Sequence, residues 1–140
     1  MPKFGKKSLN QLETCHSDLQ ILFNEVIKHF DCVVLEGHRN QKDQDAAFEK
    51  GNSKLKWPNG NHNSIPSLAV DVAPYDPPTT VNWKDIKRFY YFGGYVLGIA
   101  RILKDQGKIT HSIRYGGDWD MDTDISDQTF NDLVHFELVA

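Results

Sequence analysis

Leu19, Leu22, Phe23, Val26 and Phe30 recur at helical intervals, which predicts a main helix over 17–29 with one buried face. Ser8-Leu9-Asn10-Gln11 and Ser17-Asp18-Leu19-Gln20 each have the hydroxyl-x-x-Gln spacing of a capping box, so a short helical turn is expected before it. Cys32-Val33-Val34-Leu35 is a short apolar, β-branched run bounded by Asp31 and Gly37, as suits a buried strand. A helix over 41–50 closes at Gly51. From 51 to 67 the hydrophobic period disappears among Gly, Asn, Ser, Lys and Pro, and a long surface loop is expected. Strand-like alternation returns over 68–73, which carries Asp71 and ends at the prolines 74, 77 and 78.

Ile86, Phe89, Tyr90, Val96, Leu97, Ala100 and Leu103 form the apolar stripe of a helix from 82 or 83 to about 104. Gly93, Gly94 and Gly98 interrupt it, each at a cost of about 1 kcal/mol relative to alanine, which implies close packing or a bend. Strands are predicted over 112–115 and 134–139, with an acidic turn-rich loop over 116–127. This order points to an α+β fold: a small antiparallel sheet with flanking helices.

A length of 140 residues suits one domain over 1–140, with no separate wall-binding module expected. The net charge of −3 and the scattered basic residues exclude the basic stripe that nucleic acid requires. No run reaches the length of a membrane span or the apolar core of a secretory signal, so synthesis in a cytoplasm and no membrane partner are expected. Cys15 and Cys32 lack Cys-x-x-Cys spacing and read as reduced, buried thiols.

Candidate chemistry lies in two segments. One runs from His62 to Asp71, and the other contains Asp132, His135 and Glu137. Two imidazoles and one carboxylate make the ligand count of a catalytic zinc, which leaves a coordination position open, whereas structural zinc is closed by four protein ligands. Asp132 is the candidate acid/base. Each histidine taken alone reads more simply as a structural residue.

Together these segments resemble the D-alanyl-D-alanine and L,D-peptidase group of zinc metallopeptidases, which shares its fold with lysostaphin-type enzymes and the hedgehog signalling domain. The likeness is strongest to phage endolysins of the L-alanyl-D-glutamate endopeptidase type. It runs through Phe4-Gly5-Lys6, Glu36-Gly37-His38-Arg39 with Gln44, the 62–74 block, Arg114-Tyr115-Gly116-Gly117-Asp118-Trp119 and the 132–139 end. The resemblance implies His62, Asp71 and His135 as Zn²⁺ ligands, Asp132 as general base, and Arg39 holding a substrate carboxylate or the polarised carbonyl oxygen. Two features depart from the commonest motif. The His62 to Asp71 interval is nine positions rather than seven, with Pro66-Ser67 where the shorter form has glycine, a variant known among phage lysins, and Gly60 stands in place of a serine. Asp132 stands where many relatives have glutamate, so backbone placement must bring its shorter side chain to the metal.

Further expectations concern the surroundings of the site. Gln44, Arg114 and Glu137 are candidate substrate contacts, with Gln44 bracing Arg39 and Glu137 orienting a metal ligand as alternatives. Trp119 could wall the cleft. Asp118, Asp120, Asp122, Asp124 and Asp127 crowd one loop, and the first four could bind Ca²⁺, although the EF-hand pattern fails. The reading reached is a monomeric zinc peptidoglycan endopeptidase acting on the stem peptide, for host lysis, at L-Ala-D-Glu. Its rivals are a D,D-carboxypeptidase or dipeptidase, a non-catalytic zinc-stabilised binding module and, more remotely, a metal nuclease.

Overall fold

A computed structural model describes residues 2–140; Met1 lies outside the described residues. Among them are four α-helices, α1 (Lys6–Leu12), α2 (Ser17–Val26), α3 (Gln41–Glu49) and α4 (Ile86–Asp105), and four strands. The strands β1 (Cys32–Glu36), β2 (Ala69–Pro74), β3 (Ser112–Tyr115) and β4 (His135–Val139) form one sheet in the order β1-β2-β4-β3. Every neighbouring pair is antiparallel, so the expected α+β architecture stands.

Strand alternation sorts the sheet into two faces. Val70, Val72, Ile113, Tyr115, Phe136 and Leu138 enter the core, where Leu19, Leu22, Phe23 and Val26 of α2 and Phe92, Val96, Ala100 and Leu103 of α4 cover them. Residues of opposite parity, Asp71, Arg114, His135 and Glu137, fall on the other face. A β-bulge between Val34 and Glu36 shifts β1 so that Glu36 stands opposite Asp71. Bulges commonly re-aim a side chain in this way.

Local chemistry alters several sequence expectations. Ser8 lies inside α1 rather than capping it, and its hydroxyl accepts the Val34 amide, while the Gln11 side chain accepts the Gly37 amide. The first supposed capping box therefore ties α1 to β1. At α2 the cap is the His16 imidazole, which accepts the Asp18 amide, and the Gln20 side chain donates to the Cys15 carbonyl. The helix proper ends at Val26, and α4 begins at Ile86, where the Asp85 carboxylate caps the Arg88 amide.

Of the glycines in α4, only Gly93 answers to close packing: a Cβ there would strike the Tyr115 ring. Gly94 and Gly98 face open space, and nothing in the structure explains them. Cys15 and Cys32 are free and buried, as expected.

Candidate active site

Asp71 on β2 and His135 on β4 are register partners across the sheet. A 3-10 turn, Asn61–Asn63, brings in His62, so that His62 and Asn63 are buried within the expected surface loop, with His62 only 4% exposed, while 64–66 stay exposed. His62 Nε2 lies 3.2 Å from Asp71 Oδ1 and 3.3 Å from His135 Nδ1, and Asp71 Oδ1 lies 3.4 Å from His135 Nδ1. Ligands bonded to a tetrahedral zinc at 2.0–2.1 Å stand about 3.3 Å apart, so the triangle has the edge lengths of one face of such a site.

The second nitrogen of each imidazole is occupied. His62 Nδ1 lies 2.7 Å from the Gly37 carbonyl, and His135 Nε2 lies 2.6 Å from Glu137 Oε1. A carbonyl can only accept, so His62 carries its proton on Nδ1; the carboxylate assigns the His135 proton to Nε2 in the same way. Both remaining lone pairs then face Asp71. This outer support is what metal-bound histidines ordinarily have. Glu137 is in turn gripped by Arg114, whose Nε and Nη2 both donate to Oε2.

Electrostatics favour a cation between these groups. Burial would push Asp71 up, but the facing imidazoles of His62 and His135 hold its carboxyl far below the usual range. Burial likewise depresses His135, and hydrogen bonds to Asp71 and Glu137 override it, raising its affinity for positive charge. At Glu137 burial is outweighed by His135 and Arg114, which lower it to about 2. The donor set therefore fits a divalent metal.

Asp132 Oδ2 lies 3.9 Å from His135 Nδ1, beside the donor triangle. The short side chain reaches the site because its backbone packs directly on Gly116, where a Cβ would collide with the Asp132 carbonyl. The pairs Asp132 N to Gly116 O at 3.0 Å and Gly116 N to His135 O at 2.9 Å fix that turn. Burial, and then the charge of Asp71, push Asp132 up to about 6, a value suited to exchanging protons near neutrality.

Arg39 borders the site, and three of its five donors are engaged. Nε and Nη2 bond Glu36, Nη1 donates to Gln44 at 3.0 Å, and Nη2 stands 3.6 Å from Asp71. Gln44 is 1% exposed and fully committed. Its carbonyl accepts from Arg39 and Asn63, and its amide donates to Ser53 Oγ and the Leu55 carbonyl. This corrects the expectation of a substrate contact. Gln44 is a brace, because every hydrogen-bonding position it has is filled by protein.

A cleft of about 610 Å³ opens over His62, His135, Asp132, Arg39, Arg114 and Glu137. Trp119 walls it, with its ring 5.4 Å from that of His135 and stacked on Phe130 at 6.1 Å. A second cavity, about 700 Å³, continues past Arg39, Phe130 and Asp132 and is bordered by Asp71. The resemblance marked Glu36, Gly37 and Asn63 without giving them roles, and sequence reasoning missed Phe130, which carried no signal.

Two other groups approach metal-donor spacing. Asp118, Asp120 and Asp122 come together, whereas Asp124 instead takes the amide and hydroxyl of Ser126. Asp118 is 6% exposed; its Oδ2 accepts the Thr123 amide, while its buried Oδ1 has no partner among the described residues. His16, Asp18 and His111 form the other group, which hydrogen bonds explain. His16 caps α2, and Asp18 Oδ2 accepts from Thr110 N and Oγ1 and from His111 N and Nδ1.

A buried two-imidazole, one-carboxylate donor set with an acid beside it in an open cleft is the arrangement of a metal-dependent hydrolase. A family model described as phage L-alanyl-D-glutamate peptidase matches residues 1–139, and the chain belongs to that family. It is accordingly a peptidoglycan peptidase of the phage endolysin type. Among solved structures, the Serratia marcescens L-Ala D-Glu endopeptidase ChiX shares the fold, with a TM-score of 0.67 at 20% identity over 98% of this chain and 90% of that one. No curated protein matches the chain. Among the described residues, no helix is long and apolar enough to cross a membrane.

Proposed function

We propose that the chain cleaves the L-Ala-D-Glu amide inside the peptidoglycan stem peptide, using Zn²⁺ held by His62, Asp71 and His135, and that it serves host lysis after synthesis in the host cytoplasm. The supporting observation is the place of the donor triangle. His62 and His135 border one cavity and Asp71 borders the next, with Arg39 and Asp132 common to both. An extended peptide can therefore cross the site, as an endopeptidase requires. A carboxypeptidase would need a pocket closed around a terminal carboxylate. A binding module would have no use for the half-buried acid at Asp132.

When bound, Zn²⁺ polarises a carbonyl and acidifies water. Asp132 takes the proton of the attacking water and returns it to the leaving amine. Glu137 and the Gly37 carbonyl keep the imidazole lone pairs aimed inward, and Arg39, fixed by Glu36 and Gln44, places positive charge beside Asp71. The aromatic wall of Trp119 and Phe130 excludes water from one side.

Ca²⁺ bound by Asp118, Asp120 and Asp122 forms a second part of the reading, supported by the buried and unpartnered Asp118 Oδ1. Titration calorimetry with Ca²⁺ tests it: wild type should bind and Asp118→Ala should not, and absence of wild-type binding refutes it.

The deciding experiment for the main reading is digestion of purified sacculi with and without a chelator, followed by product masses. Fragments with a new N-terminal D-Glu, lost on chelation and restored by Zn²⁺, are expected. Release of terminal D-alanine alone overturns the bond assignment.

A further inference from the structure

Three cationic side chains border the cleft: Arg39, Lys54 and Arg114. Two are neutralised within the protein, Arg39 by Glu36 and Arg114 by Glu137. Lys54 has no carboxylate partner among the described residues. Its ammonium stands 5.1 Å from the centre of the Phe130 ring, and Phe130 continues through Trp119 to the ring of His135. Lys54 therefore occupies the far end of the aromatic wall that starts at the donor triangle.

Its backbone is pinned on both sides. The buried Gln44 amide donates to Ser53 Oγ at 2.9 Å and to the Leu55 carbonyl at 2.6 Å, and Leu55 N donates back to Ser53 Oγ. A long loop with so few apolar contacts would otherwise wander, and fixing the residues either side of the lysine lowers the ordering cost of using it. The same Gln44 supports Arg39 and the Asn63 of the turn that carries His62. One buried amide thus sets the lysine and the donor triangle in a common frame.

On the cleavage reading above, on which this inference rests, the substrate is anionic next to the bond that breaks. D-Glu joined to the stem through its γ-carboxyl leaves an α-carboxylate near the scissile nitrogen, and the diamino acid that follows can carry another. The geometry points to Lys54 as the residue that receives a carboxylate of the stem peptide and sets the preference for acidic over amidated substrate. An ammonium on a flexible four-carbon stem suits this task, since it can leave the weak contact with Phe130 for a charge-assisted hydrogen bond. Arg39, the cation expected from sequence to hold that group, is already engaged by Glu36 and Gln44.

The test uses three defined muropeptides: one with free carboxylates, one amidated at the D-Glu α-carboxyl and one amidated at the diamino acid. Wild type, Lys54→Met and Lys54→Arg are compared, each checked for metal content and unfolding midpoint. On the free substrate Lys54→Met should lose about 10- to 100-fold in kcat/KM, mostly through KM, the range for a hydrogen bond to a charged group. Lys54→Arg should retain most of the activity. Amidation at the carboxylate that Lys54 contacts should abolish the difference between wild type and Lys54→Met, and the amide that does so identifies which carboxylate is bound. An equal loss on all three substrates, or no loss on any, overturns the proposal. Wild type that leaves the L-Ala-D-Glu bond intact in every substrate overturns the bond assignment first, and the role of Lys54 with it.

Discussion

Asp71 and His135 face one another across the β2–β4 ladder, with Oδ1 and Nδ1 3.4 Å apart, although sixty-four positions separate them in the chain. The sheet register sets this meeting: a slip of either strand by one residue would turn that strand's donor into the core and break the pair. His62 completes the triangle from outside the sheet, held by the Gly37 carbonyl at the end of β1. Two of the three candidate donors are thus set by strand pairing, and the third by a turn in the loop before β2.

Asp132→Asn should keep the fold and the metal but lose about 10²- to 10⁴-fold in kcat, the usual worth of a general acid–base group. Elemental analysis and turnover on muropeptides check both halves. Normal turnover by the variant removes Asp132 from the proton transfer.

Glu137→Ala leaves the three donors in place but frees His135 Nε2. Metal affinity should fall about 10- to 100-fold, as for other outer partners of metal-bound histidines. Competition with a fluorescent chelator measures it, and an unchanged affinity would show that Glu137 does not orient the ring.

Gly116→Ala puts a methyl group against the backbone of Asp132. The variant should be less stable by about 1–3 kcal/mol, the range for overpacking, and should lose activity because the acid is displaced. Denaturant unfolding and turnover report these separately. Wild-type behaviour in both would mean that the turn has room to yield.

Asp18 should contribute to stability in acid. Burial pushes its carboxyl up, and the hydrogen bonds from His111 and Thr110 outweigh that, holding it at about 2. A folded value below the unfolded one of about 3.9 means that the stabilisation is complete above pH 4 and disappears as pH falls through about 2. The unfolding free energies of metal-free wild type and Asp18→Asn should therefore converge from pH 4 to pH 2. Parallel curves over that window would exclude Asp18 as the acid-sensitive group.

The sequence by itself determined the element types and singled out the candidate donor residues. Alternation over 68–73 placed Asp71 on a strand, helical spacing marked α2 and α4, and the residue types at 62, 71, 132 and 135 carried the metal chemistry, because periodicity and side-chain chemistry are local properties. Only the tertiary structure decided what each polar group does. Ser8 and Gln11 carry the spacing of a cap, yet they bond the Val34 amide of β1 and the Gly37 amide just after it, groups distant in sequence. Gln44 resembles a substrate contact until Arg39, Asn63, Ser53 and Leu55 are seen to occupy its hydrogen-bonding groups. Lys54, one of many lysines in the chain, gains its distinction from lining the folded cleft without a carboxylate ion pair among the described residues. Whether a donor or a charge is already satisfied depends on non-local neighbours, and these are settled only when the sheet register and the loop packing bring distant residues together.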